Sequence, residues 1–111
     1  MASDPPAPSP AVIDNAEAGR YEIRSGDTLA GFSDYRDRVG RRIFVHTEVD
    51  PAFAGQGMAT RLIAAALDDA VEKGLRVIPR CPFVRAYLER HPDHPANRGG
   101  TLDPGMAPPV T

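Results

Sequence analysis

The chain predicts an α+β fold: a mixed sheet made of an antiparallel meander, then a helix, a parallel strand and a closing helix. Three observations carry this reading. Residues 20–49 hold short apolar–polar segments joined by turns too short for crossovers, which only antiparallel neighbours allow. Residues 57–73 carry one long helical period. A short apolar strand and a proline-opened helix follow it, and a strand–helix–strand passage of this length permits a right-handed parallel crossover.

Val12-Ile13 opens the sheet. Arg20 to Arg24 alternates Tyr21 and Ile23 with polar residues, the period of a strand. Ser25-Gly26-Asp27 is a turn, and Thr28 to Tyr35 carries Leu29, Ala30, Phe32 and Tyr35 as a second strand. Arg38-Val39-Gly40 turns again into Arg41 to Val49, the strongest strand. Strict alternation there puts Phe44, His46 and Glu48 on one face and Val45, Thr47 and Val49 on the other.

The helix expected from Gly57 to Lys73 places Ala59, Leu62, Ile63, Ala66, Leu67, Ala70 and Val71 on one face. Arg61, Asp68, Asp69, Glu72 and Lys73 fall mainly on the other, and Gly74 supplies the stop. Leu75 to Ile78 forms the parallel strand, halted by Pro79. Pro82 suits the first turn of the closing helix, with Cys81 at or near its N-cap. Phe83, Val84, Tyr87, Leu88 and His91 make that helix's apolar face, and Pro92 ends it.

Bulk properties bound the rest. Residues 1–10 and 95–111 are rich in proline and glycine and poor in apolar residues, so both are expected to be disordered tails around a folded domain at 11–94. No stretch approaches the roughly 20 apolar residues of a membrane span, and the start lacks the pattern of a signal peptide. A soluble, cytoplasmic protein that does not act on membranes is expected. A net charge of −2 with interspersed signs offers nucleic acid no basic stripe. Arg36, Arg38, Arg41 and Arg42, with Asp34 and Asp37, read as a solvated hairpin. A single cysteine excludes an internal disulfide framework.

The most informative stretch is Phe44 to Thr60, a strand, a short turn and a glycine-rich entry into a helix. Such an entry points several backbone N–H groups at the positive end of a helix dipole, where phosphate binds without a cationic side chain. Gly55 and Gly57 lack a Cβ, so a diphosphate can approach their backbone. The alternative is an ordinary tight turn that binds nothing.

The order of elements resembles the GNAT acetyltransferase superfamily. Ala54-Gly55-Gln56-Gly57-Met58-Ala59 is similar to its acetyl-CoA signature, Arg/Gln-x-x-Gly-x-Gly/Ala, with Ala54 at the first position in place of Arg or Gln. His46-Thr47-Glu48-Val49, Gly55 to Ala59 and Pro79-Arg80-Cys81-Pro82-Phe83-Val84, in order, resemble the short single-domain YjdJ-type N-acetyltransferases across residues 12–94. The later strands that help build the acceptor pocket in longer relatives have no counterpart in this sequence.

The resemblance implies a minimal GNAT-like fold with acetyl-CoA as acyl donor and no metal. Gly55 and the amides of Gln56, Gly57, Met58, Ala59 and Thr60 would hold the pyrophosphate. The Val49 backbone would pair with the pantetheine amides, and the thioester would point toward Cys81. Arg61, Arg80 or Arg85 would reach the adenosine side. The acceptor is a primary amine of unstated identity, on a small molecule or a protein lysine. A monomer is the default, with a weak dimer as the alternative.

Amine acetylation needs a neutral amine, a polarised carbonyl and a stabilised leaving thiolate. Cys81, at a helix N-terminus, is the first candidate, as general acid or covalent acceptor; its alternative is a small buried hydrophobe. His46 is the candidate base, with Glu48 orienting it or taking the proton itself. His91, Asp93 and His94 read as surface residues rather than a metal site, and Tyr87 as core. The leading function is therefore N-acetyl transfer from acetyl-CoA. The second is a non-catalytic CoA- or acyl-CoA-binding module.

Overall fold

A computed structural model of the chain describes residues 10–97. Residues 1–9 and 98–111, most of the two expected tails, lie outside the described residues. Five strands form one sheet in sequence order: β1 (Ala11–Asn15), β2 (Arg20–Ser25), β3 (Thr28–Arg38), β4 (Arg41–Val49) and β5 (Arg76–Pro79). The first four pair antiparallel, and β4 pairs β5 parallel. A 3-10 turn (Pro51–Phe53) leads to α1 (Met58–Glu72), and α2 (Pro82–Arg90) closes the domain. The expected α+β architecture is present. The folded part runs past the expected boundary at 94, because residues 95–97 form a helical turn that buries Ala96.

Helix α1 lies on one face of the sheet through Met58, Leu62, Ile63, Ala66, Leu67 and Ala70, all buried. Tyr21, Ile23, Phe44 and Val77 belong to the same core cluster. Full burial of a Leu or Ile side chain contributes about 1.5–3 kcal/mol, so Leu62, Ile63 and Leu67 anchor the helix. Two backbone bonds end it: Leu75 N–H donates to Ala70 O and Gly74 N–H to Val71 O, both at 2.9 Å. This is a Schellman stop, and it needs the left-handed backbone that Gly74 adopts at φ 75°. It aims the chain directly into β5.

The arginine-rich hairpin is not simply solvated. Arg42 is buried, and its guanidinium donates to Asp37 at 2.8 Å, to Tyr21 Oη at 2.7 Å and to Asp14 at 3.2 Å. Tyr21 Oη donates in turn to Asp69 at 2.7 Å, and Lys73 bridges Asp14 and Asp69, both at 2.8 Å. The Arg42 guanidinium also stacks 3.8 Å above the Tyr35 ring. This network ties β1, β2, β3 and β4 to α1, so Asp69 and Lys73 serve the interface rather than the solvent. It also carries β3 on to Arg38, beyond the expected end at Tyr35. The mechanism is electrostatic: alternation points Arg42 inward, and a buried guanidinium persists only when its donors are taken up.

The titration behaviour follows. Burial alone would raise the Asp14 and Asp69 carboxyls. Hydrogen bonds from Lys73 and from Tyr35 or Tyr21 outweigh that and hold both below the ordinary carboxylate value. Burial, with the Asp14 hydrogen bond, pushes the Tyr35 phenol up to about 12. A carboxyl depressed in the folded state contributes stability above its unfolded pKa and loses it as pH falls through the folded one. The urea midpoint should therefore fall steadily from about pH 5 downward. Arg42→Ala should flatten that fall and cost on the order of 3 kcal/mol at neutral pH, because it leaves buried partners uncompensated. A variant as stable as the native chain in urea titration would refute this role.

Candidate active site

The site begins where β5 leaves β4. The parallel ladder runs from Arg41–Arg76 to Phe44–Pro79. Phe44 O then accepts two amides, Arg80 N–H at 3.0 Å and Cys81 N–H at 2.9 Å. Pro82 comes next, at the first turn of α2, and has no N–H to continue the ladder. The two strands must part there.

β4 makes a matching adjustment. Tyr35 pairs with Phe44 but Asp34 pairs with His46, so Val45 is an extra, bulged residue. The bulge reverses the alternation. Phe44 and Thr47 both face the core, while His46 and Glu48 face outward. The expectation that Phe44 shares a face with His46 and Glu48 is therefore corrected. The unbroken apolar run Ile43-Phe44-Val45 was its trace, since strict alternation cannot accommodate three such residues in a row.

Beyond the bulge, hydrogen-bonding direction alternates again. Asp50 N–H donates to Ala30 O on the β3 side at 2.8 Å. The backbone of Glu48 and His46 therefore also faces β3, and that of Thr47 and Val49 faces the gap left by β5. A ligand with amide groups entering the gap meets a strand edge. Val49 lies on that edge.

The turn after β4 forms the other wall. Gly55 and Gly57 have left-handed backbones, φ 78° and 73°, and a Cβ at either would meet nothing within 4 Å. Gly57 is the N-cap of α1. The first helical bond runs from Arg61 N–H to Gly57 O at 3.0 Å, so the N–H groups of Met58, Ala59 and Thr60 precede it and have no partner within the helix. The Gln56 amide differs from the expectation: it donates to Phe53 O at 3.3 Å. A cavity of about 180 Å³ opens beside these residues, lined by Val49, Ala54, Gly57, Ala59 and Thr60 among others. Ala59 and Thr60 also line a groove of about 400 Å³ that reaches Pro82, Phe83 and Arg90 on α2. The donor set fits a diphosphate followed by an amide-bearing arm.

Cys81 is the N-cap of α2, as expected, with φ −77° and ψ 131°, and it is 1% exposed. Its thiol donates to Thr47 Oγ1 at 3.2 Å, and Thr47 Oγ1 lies 2.9 Å from Ser33 Oγ. Reading the sequence alone missed both hydroxyls. The only signal was that Thr47 falls on the face opposite His46.

His46 and Glu48 are brought together but away from Cys81. His46 Nε2 lies 2.8 Å from a Glu48 carboxylate oxygen, with both side chains more than half exposed. They share the open face of the sheet with Phe32, whose ring lies 6.2 Å from His46 and 4.7 Å under the Arg20 guanidinium. Glu48 and Val49 also border a cavity of about 220 Å³ on β3 and β4. Tyr87 is buried, as expected, and stacks on His91 at 4.0 Å. His94 is not a free surface residue: its side chain is 11% exposed and its Nε2 meets Asp68 at 2.8 Å. Among the described residues no group of three metal-ligating side chains converges, and no helix is long and apolar enough to cross a membrane.

Fold and site thus define a small α+β domain with an amide-lined turn beside a parted pair of strands. Residues 20–97 match the family described as GCN5-related N-acetyl-transferase, and the chain belongs to that family. It is similar to Protein NATD1 of Gallus gallus and of Mus musculus, 41% identical over 56 residues, which cover 49% of this chain and 51% of each relative. Protein NATD1 of Homo sapiens is likewise 41% identical over 56 residues, 49% of this chain and 50% of that protein. The matched segment spans about half the length of these curated relatives.

Gly40 provides an internal control for Gly57. Both have left-handed backbones, φ 71° and 73°, with open space around an added Cβ. Gly40→Ala and Gly57→Ala should each lower stability by about 1–2 kcal/mol, through backbone strain alone. Denaturant titrations that separate the two by much more would reveal a contact at one of them.

Proposed function

We propose that the protein is an N-acetyltransferase that moves an acetyl group from acetyl-CoA to a primary amine. The observation that carries this reading is the parting of β4 and β5 beside the open glycine turn, with Cys81 at its apex. Membership of the GCN5-related family supports it. The amides of Gly57, Met58, Ala59 and Thr60 hold the pyrophosphate, and helix α1 contributes its dipole. The α1–α2 groove takes the rest of the carrier, and the exposed edge at Thr47 and Val49 pairs with the pantetheine amides. The thioester then lies against Cys81.

The two faces of the sheet divide the chemistry. Cys81 acts on the core side as general acid to the departing thiolate or as the covalent acyl acceptor. His46 and Glu48 take the proton of the arriving ammonium on the open side, which leaves the amine neutral for attack. Holding both reactants across one gap supplies part of the acceleration. The protein works in the cytoplasm as a monomer, without a metal and without nucleic acid or membrane as a partner.

A second reading is an acyl-CoA-binding module without turnover. It is favoured by Ala54 at the first signature position and by the placement of His46 and Glu48 across the sheet from Cys81.

Thiol release from acetyl-CoA across a panel of amines separates the two readings. Transfer that falls at least about 10²-fold in Cys81→Ser, with stabilisation by coenzyme A retained, supports the enzyme. Saturable stabilisation with no thiol release above background supports the module. Gly57→Ala should abolish the rise in melting temperature caused by coenzyme A, and Gly40→Ala should preserve it. No rise even in the native chain would overturn both readings.

A further inference from the structure

Three buried polar side chains stand in a row behind the gap: Ser33 on β3, Thr47 on β4 and Cys81 at the head of α2, at 0%, 4% and 1% exposure. The thiol donates to Thr47 Oγ1 at 3.2 Å, and Thr47 and Ser33 share a hydrogen bond of 2.9 Å that either can donate. Valine and alanine would fill the same space without burying hydroxyls, which cost free energy in a core unless they are bonded. Among the described residues no buried side-chain nitrogen or oxygen lacks a partner, so the row is fully satisfied. The candidate base cannot assist the sulfur directly, because His46 faces the opposite side of the sheet.

We infer that Thr47, backed by Ser33, is a positioning residue that holds the Cys81 sulfur and stabilises its thiolate by reversing the direction of this hydroxyl chain. The inference rests on the acetyltransferase reading for its use, but not for its test. With Cys81 as a thiol, its hydrogen points to Thr47, whose own hydroxyl donates to Ser33. When the sulfur loses its proton, the Ser33 hydroxyl donates to Thr47 and the Thr47 hydroxyl donates to the sulfur. Only hydroxyl hydrogens rotate, and no heavy atom moves.

Both roles open to Cys81 pass through that state. As nucleophile, the sulfur bonds to the acetyl carbon, the carbon–sulfur bond to CoA breaks, and the thiol proton ends on the CoA sulfur. Attack by the amine then releases the Cys81 thiolate, which takes the surplus amine proton. As general acid, Cys81 gives its proton to the departing CoA sulfur and regains one from the acetylated ammonium. In each case a sulfur anion exists where water is excluded, and an oriented hydroxyl replaces the missing hydration.

Cys81 is the sole cysteine, so its thiolate can be followed by ultraviolet absorbance as the difference from Cys81→Ser across a pH titration. Thr47→Val should move the midpoint upward by about one pH unit or more, Thr47→Ser should restore it, and Ser33→Ala should give a smaller shift in the same direction. In turnover, Thr47→Val should lower kcat about tenfold or more with KM for acetyl-CoA nearly unchanged. Should Thr47→Val fail to fold, the Ser33→Ala titration decides. A midpoint that coincides with the native chain's in Thr47→Val, or in Ser33→Ala where Thr47→Val does not fold, overturns the inference. Absence of transferase activity in the native chain refutes the enzyme reading and leaves the titration valid.

Discussion

The organising constraint is the Phe44 carbonyl, which accepts both Arg80 and Cys81 amides as the last link between β4 and β5. Pro82 forbids another. From that one point β5 turns into α2, Cys81 becomes the helix cap, and the edge of β4 beyond the bulge is left facing a gap. Much of the site follows from where a parallel ladder is forced to stop. The Schellman stop at Gly74 sets the other end of the same short strand.

The second constraint is electrostatic and lies at the far edge. The buried Arg42 ties three strands to α1 through carboxylates and tyrosine hydroxyls. It fastens the end of the domain opposite the gap. The gap end is held by the core under Phe44, Leu62 and Val84 and by the short contacts at Phe44 O. A small domain can keep an open groove because its rigid anchors lie at both sides of it.

Much of this was legible in the residues. The helix over α1 could be read because its apolar spacing is unambiguous and Gly74 ends it. Pro82 after Cys81 marked the second helix and its cap. The meander followed from turns of two or three residues. What stayed hidden depends on pairing between distant strands. The Val45 bulge exists only as a register between β3 and β4, and it decides which way His46 and Phe44 face. Arg42 looked like one of four surface arginines because its inward direction and its partners at residues 14, 21 and 37 are set by the fold. Thr47 becomes the partner of Cys81, and Ser33 that of Thr47, only when three elements meet.

In the proposed function, donor and acceptor stand apart by the thickness of one sheet. The carrier would lie among the helices, the amine would come from the open face, and the parted strands would be the passage between them. Amide hydrogen exchange with and without coenzyme A tests this most directly. The account predicts slowed exchange at Thr47, Val49 and Met58 to Thr60, with the β1–β2 hairpin unchanged. Exchange unaltered at those amides under saturating coenzyme A, or slowed only on the open face around Phe32 and Glu48, would contradict it.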